Sequence, residues 1–194
     1  MSLFEHNVLL IDEKVNAFKF ENEYKVFDES NNQIGSINQK LTGGQKILRL
    51  LLNKAMLPFT LDIVDTNGMT LAKIQRGWTF FMSKISIVDD KGNIVGFIKQ
   101  KFKLFKPTFE IQSEKNEPIG KITGDWKAWD FKIFDDKEIQ IGTVSKKWGG
   151  LLKEAFTTAD KYIVNIESNN LSKENRIAII ASAITIDMVL KEAK

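Results

Sequence analysis

The sequence has no cysteine in its 194 residues. That excludes disulfides, thiol nucleophiles and palmitoylation, and it removes nearly every zinc motif. It also fits a reducing compartment. Histidine is almost missing as well. His6 stands alone near the N-terminus, and no nucleophile elbow accompanies it to complete a Ser-His-Asp arrangement. No GxxxxGK loop is present; "TGGQK", Thr42 to Lys46, is too short and lacks the strand-to-helix setting. The opening "MSLFEHNVLL" has neither a basic n-region nor a long apolar h-region. No secretory signal is therefore expected, and a cytoplasmic location is the default. Neither sign of charge dominates. With 28 basic and 25 acidic residues the formal charge is +3, too little excess to expect a nucleic-acid partner. These absences predict a chain that is not an enzyme, with no catalytic residues, no cofactor and no metal site. At 43% hydrophobic and 27% charged, the composition is that of a globular chain, read as one domain over residues 1–194.

What is present is a repeat. Gly35, Gly96, Gly120 and Gly142 sit in similar company, and Ala72 takes the glycine slot of a further unit. Seven residues earlier lie Asp28, Asp65, Asp89, Ser113 and Asp135; one earlier lie Ile34, Leu71, Val95, Ile119 and Ile141. Six later lie Leu41, Trp78, Phe102, Trp126 and Trp148. Each unit reads as a β-hairpin. An aromatic and β-branched run ends at the Asp, a polar turn follows, and a second apolar run contains the glycine. The Asp side chain can bond backbone groups two residues on. A glycine inside the second strand suits a bend, a bulge or the close approach of another backbone. The pairs Asp89-Asp90 and Asp135-Asp136, which could suggest acid/base or metal chemistry, fall at the turn and are read as turn residues. Trp78, Trp126 and Trp148 share one slot, which argues for packing in the barrel wall.

Five hairpins with extra strands at "NVLLI" and "YIVNI" make about twelve strands. Closing such a meander removes its edges. Twelve strands leave a hole about as wide as one helix, ~10 Å with side chains. The helix that fills it must be apolar on every face. "RIAIIASAITIDMV", Arg176 to Val189, is such a segment, and it is shorter than the ~20 residues a bilayer crossing needs. The predicted architecture is mainly β: a closed antiparallel barrel around a buried helix at about 173–191, capped by Ser172, with Ile177, Ile180 and Ile184 in the core. Asp187 is the awkward residue of that helix, read as an acid near the barrel mouth.

The repeated "IG.I" hairpins, "GFIKQKF", "KPTFEI", "VSKKW", "ADKYIVNI" and the terminal helix ending "IDMV" resemble the scramblase and LURP-one-related proteins of the tubby C-terminal-like superfamily. That resemblance implies the same barrel with a central C-terminal helix. It also implies a lipid-related role in some members. Scramblases carry an acidic, calcium-binding-like segment before the terminal helix. Here only Asp160 matches it clearly, and Thr158 and Lys161 stand where oxygen ligands are wanted. Calcium control is therefore not expected.

Two segments are candidates for contact with a partner. In "FIKQKFKLFK", Lys99, Lys101 and Lys103 would share one strand face, with Lys106 just beyond. Such a row is either a solvated outer wall or a site for anionic lipid head groups. In "QKILRLLLNKAM", a short helix puts Leu48, Leu51, Leu52 and Ala55 on one side and Lys46, Arg49 and Asn53 on the other. It either lies in a membrane interface or covers a barrel end, the reading preferred here. The expected partner is thus an anionic phospholipid surface at the inner face of the membrane, touched peripherally. A protein-interaction scaffold is the alternative, and a nucleic-acid-binding regulator a weaker one.

Overall fold

The computed structural model describes residues 2–13, 22–52, 56–78, 84–101, 108–125, 127–146 and 161–192; at Arg49, Asp187, Met188 and 190–192 only the backbone is described. Twelve strands form an up-and-down antiparallel barrel: β1 (Val8–Glu13), β2 (Glu23–Phe27), β3 (Gln33–Gln39), β4 (Phe59–Val64), β5 (Thr70–Arg76), β6 (Lys84–Asp89), β7 (Ile94–Lys101), β8 (Thr108–Ser113), β9 (Pro118–Asp125), β10 (Asp130–Asp135), β11 (Gln140–Ser145) and β12 (Lys161–Ile166). Each strand pairs with its sequence neighbours, and β1 closes on β12 through Val8↔Asn165 to Asp12↔Lys161. Helix α1 (Gly43–Leu51) interrupts the meander, and α2 (Lys173–Glu192) ends it.

The repeat is five copies of one hairpin. In each, the carbonyl of the turn's first residue accepts from the N–H three residues on, as in Asn31→Asp28 and Gly92→Asp89. The donor residue has φ near the left-handed region: Asn31, Gly68, Gly92, Asn116 and Glu138. This is a three-residue loop with a type I turn and a left-handed closing residue. The first side chain locks it. Asp89 Oδ1 accepts from the N–H groups of Lys91 (3.0 Å) and Asn93 (2.7 Å), and the other three Asp carboxylates do the same. Ser113 Oγ does so at 3.2 Å to Lys115 and to Glu117, longer because a neutral hydroxyl is a weaker acceptor than a carboxylate.

The glycine slot follows one residue after a β-bulge. Ile34, Leu71, Val95, Ile119 and Ile141 are the extra residues, since Ile87 faces Gly96 while Val88 faces Ile94, and likewise in the other four hairpins. A bulge sharpens strand twist and curvature, which a narrow barrel needs. At Gly96 an added Cβ would stand 2.7 Å from Gln112 O and 3.3 Å from Ala178 Cβ, so glycine lets the wall approach the central helix.

Helix α2 is enclosed. Every residue from Ile177 to Ile186 is at most 4% exposed, ten in succession and therefore buried on all sides. At 1.5 Å per residue this is about 15 Å of caged helix. Ile177, Ile180 and Ile184 belong to the core as expected. Its two hydroxyls return to the helix itself: Ser182 Oγ donates to Ala178 O (2.6 Å) and Thr185 Oγ1 to Ala181 O (2.7 Å). No polar group there is left in apolar surroundings. Ser172 caps the start, its Oγ accepting from Asn175 N–H at 3.2 Å. Arg176 then holds the N-terminal 3-10 turn Leu3–Glu5 across this end. Its guanidinium donates to Phe4 O, to His6 O (2.6 Å) and to Asn7 Oδ1 (2.8 Å). The Asp187 side chain lies outside the described residues.

Candidate functional site

The barrel has two unlike ends, because an up-and-down meander sends alternate connections to opposite poles. The five tight turns, the 3-10 turn and the start of α2 occupy one, here the turn pole. The connections 14–22, 40–58, 77–83, 102–107, 126–129 and 146–160, most of them longer, leave from the other, the link pole. Of the predicted contact residues, Lys46 and Arg49 stand on α1 at the link pole and Lys99 and Lys101 near the end of β7 that faces it.

Helix α1 stands there. It starts at a capping box, Thr42 Oγ1 accepting from Gln45 N–H (3.3 Å) while Gln45 Oε1 accepts from Thr42 N–H (2.9 Å). It ends when Leu52 turns extended, its N–H still bonded to Leu48 O at 2.8 Å. The expected segment therefore begins two residues earlier and its helix stops at Leu51. The expectation that it covers the barrel end is overturned. Ile47, Leu50 and Leu51 are 61%, 68% and 75% exposed, and Leu52 is exposed too. These are i, i+3 and i+4 positions of one face, so the uncovered ridge runs through Ile47 and Leu50. Leu48, placed on the apolar side from the sequence, is half-buried instead. Amphipathicity showed that an apolar side exists, and was silent on what covers it. Lys46 is half-buried beside the ridge; the Arg49 side chain lies outside the described residues, as does all of 53–55.

The lysine row is present in part. Ile98 points into the core, and Lys99 and Lys101 are exposed on the outer wall. Lys99 faces Lys84 on one side and Glu110 on the other in strand register. Lys101 forms an ion pair with Glu110. That lysine, chiefly, holds the Glu110 carboxyl below its ordinary value against the opposing effect of burial. One acid thus tempers the row. Lys84 lies over the Phe97 ring at 3.8 Å and donates to Asn116 Oδ1 at 2.7 Å. Lys103 and Lys106 lie outside the described residues.

The tryptophan slot needs correction. Trp78 is 54% exposed, beyond the end of β5, so it does not pack in the wall. Six residues past the glycine the chain has left the strand, and inside–outside alternation no longer applies. Trp126 and Trp148 lie outside the described residues. So do Thr158 and Asp160. Lys161 is described, and its Nζ sits 3.5 Å from Asp12 Oδ2 across the β1–β12 seam. The Asp pairs stand as expected at the turns, where Asp89 and Asp135 bind backbone N–H groups. Among the described residues no three metal-ligating side chains gather, and no helix is long and apolar enough to cross a membrane.

Comparison with known proteins gives a consistent outcome. The scramblase family profile matches residues 5–192. Human phospholipid scramblase 1 is 29% identical over 150 residues, which cover 70% of this chain and 47% of that protein. A phospholipid scramblase family protein of Schizosaccharomyces pombe is 24% identical, covering 98% of this chain and 55% of its own. The altered inheritance rate of mitochondria protein 25 of Saccharomyces cerevisiae is 23% identical over 88% of this chain and 64% of its own. The chain spans about half the length of these curated relatives. A crystal structure of an Arabidopsis thaliana protein superposes with a TM-score of 0.54 at 7% identity, covering 96% of this chain and 92% of that one, a likeness of fold alone.

Proposed function

The chain belongs to the scramblase family, and from that premise we propose that it is a non-catalytic module that binds phospholipid at a membrane surface without calcium control. The observation that carries the reading is the uncovered ridge of α1, Ile47, Leu50 and Leu51, beside Lys46 on the same short helix. A helix with an apolar side and basic residues lies naturally in the interfacial plane of a bilayer. Removing three such side chains from water is worth on the order of 4 kcal/mol. Each basic residue near an anionic surface adds roughly 1 kcal/mol. Lys99, Lys101, Lys103 and Lys106 are the further candidates for head-group contact, with Arg49. The names of the human and fission-yeast relatives support phospholipid as the partner class. Cytoplasmic, peripheral contact is the location this reading implies.

The calcium part rests on Lys161. It is a cation where the family's acidic segment would offer an oxygen, and it stands close to Asp12. Calcium takes six to eight oxygen ligands, and an ammonium group repels it.

Flotation on vesicles tests the reading. The protein is expected to float with vesicles containing phosphatidylserine at ~10 mM salt, where the Debye length is about 30 Å. It is expected to float less at ~0.5 M salt, and to be indifferent to added calcium. Failure to float at low salt removes the proposal. A marked calcium requirement removes its second half.

A further inference from the structure

The two poles differ in charge and in apolar content, and the difference gives the barrel a direction. The described residues of the six link-pole connections hold five basic residues, Lys40, Lys46, Arg49, Lys127 and Lys146, and no acidic one, a net of +5. Residues 1–7, the five tight turns between strands and the 167–172 connection contain ten acidic and three basic residues, a net of −7. Strands and α2 each sum to zero. A near-neutral chain thus carries its charge as a dipole along the barrel axis. The exposed Trp78 stands at the same pole as the α1 ridge.

We propose that the link pole is the face that meets an anionic bilayer, with the α1 ridge entering the head-group region and the turn pole directed to water. This rests on the phospholipid reading and adds the orientation to it. Charge complementarity selects the occupant, since a pole whose described residues carry +5 is drawn to an anionic surface while a −7 pole is repelled. The apolar ridge selects a bilayer over a polyanion in solution, which has no acyl region for Ile47, Leu50 and Leu51 to enter. The turn pole also exposes apolar side chains, Met69, Ile94 and Ile139. They are single residues on separate hairpins among acids, and scattered exposure of that kind is ordinary. The orientation makes the lateral lysines Lys99 and Lys101 rim contacts, and it sets the caged helix upright over the membrane with its capped start on the far side.

The absence of cysteine makes the test clean. Single-cysteine variants Leu51→Cys at the ridge, Lys132→Cys on the exposed side wall and Lys137→Cys at a tight turn are labelled with an environment-sensitive fluorophore. They are mixed with phosphatidylcholine vesicles with or without phosphatidylserine. The expected result is a blue shift with several-fold brightening at position 51, only with the anionic lipid, and silence at 132 and 137. The pair Leu50→Glu with Leu51→Glu is expected to weaken flotation by about tenfold or more, as the ridge leaves the interface, with unchanged melting. A protein that floats while position 51 stays silent, or while 132 or 137 responds, overturns the orientation and leaves the phospholipid reading standing. Charge-driven binding with 51 silent is that same result. A protein that does not float removes the reading, and the orientation with it.

Discussion

A glycine and a carboxylate, each repeated along the chain, do most of the local work in this wall. At Gly142 an added Cβ would lie 2.3 Å from Asn165 O, a backbone atom of the neighbouring strand. The strand cannot yield without parting from β12. Gly142→Ala is therefore expected to destabilise by about 1–3 kcal/mol, the usual cost of forcing atoms into a packed site, read as a lower urea midpoint. The turn carboxylates act through charge. Desolvation alone would raise the Asp89 carboxyl, but the hydrogen bonds from Asn93, Lys91 and Gly92 outweigh it, and the group sits below its ordinary value. Asp28 is lowered in the same way by Asn32 and Ser30. A carboxyl depressed by folding contributes stability above its unfolded value, about 3.9, and loses that contribution as pH falls through the folded one. Asp89→Asn keeps an acceptor and removes the charge. Wild type is expected to exceed this variant by up to about 1 kcal/mol at pH 7, given how exposed the turn is. Denaturant titrations at falling pH should show the gap closing below about pH 4.

At the scale of the element, the hairpins were readable because everything that makes them is local. The turn acid, the left-handed residue and the bulge before the glycine all lie within eight residues, so spacing alone revealed five of them. The central helix was readable for the opposite reason. Its sequence from Ile177 to Ile186 has no polar face, which leaves a cage as the only environment in water. Where neither condition held, the reading failed. Helix α1 has an apolar side whose cover depends on tertiary placement, and Trp78 occupies a repeat slot after the repeat's strand has ended. Lys99 and Lys101 were assigned to the outer face correctly, yet the partner Glu110 comes from the neighbouring strand and no spacing rule links the two. The cage makes a prediction of its own. Ile184 is fully buried, and Ile184→Ala is expected to cost about 2–5 kcal/mol, transfer plus cavity. Ser182→Ala is expected to be nearly neutral, because its hydroxyl serves only the carbonyl of Ala178, already held in the helix. Thermal melts of the pair separate packing from polarity along one helix.

At the scale of the whole molecule, closure of the wall governs what the chain can do at a membrane. Every strand is hydrogen-bonded on both sides, and the β1–β12 seam is as regular as the hairpins. There is no edge at which the barrel could open a little to let α2 out. Arg176 also ties the helix start to backbone carbonyls at Phe4 and His6. Moving Ile177–Ile186 into lipid would break the wall as a unit, at a free energy close to that of global unfolding. The elements free to respond to a bilayer are those outside the wall, and among the described residues α1 is the one with an uncovered apolar side. Hydrogen exchange distinguishes the two cases, since amide protection runs from near zero in exposed segments up to the global stability in enclosed ones. Free in solution, the amides of 177–186 are expected in the slowest class and those of 43–51 among the faster ones. On anionic vesicles, 43–51 should slow while 177–186 stays unchanged. Faster exchange at 177–186 in the presence of vesicles, with matching loss in the strands, would mean that the helix leaves its cage and that the membrane role runs through α2 instead of α1.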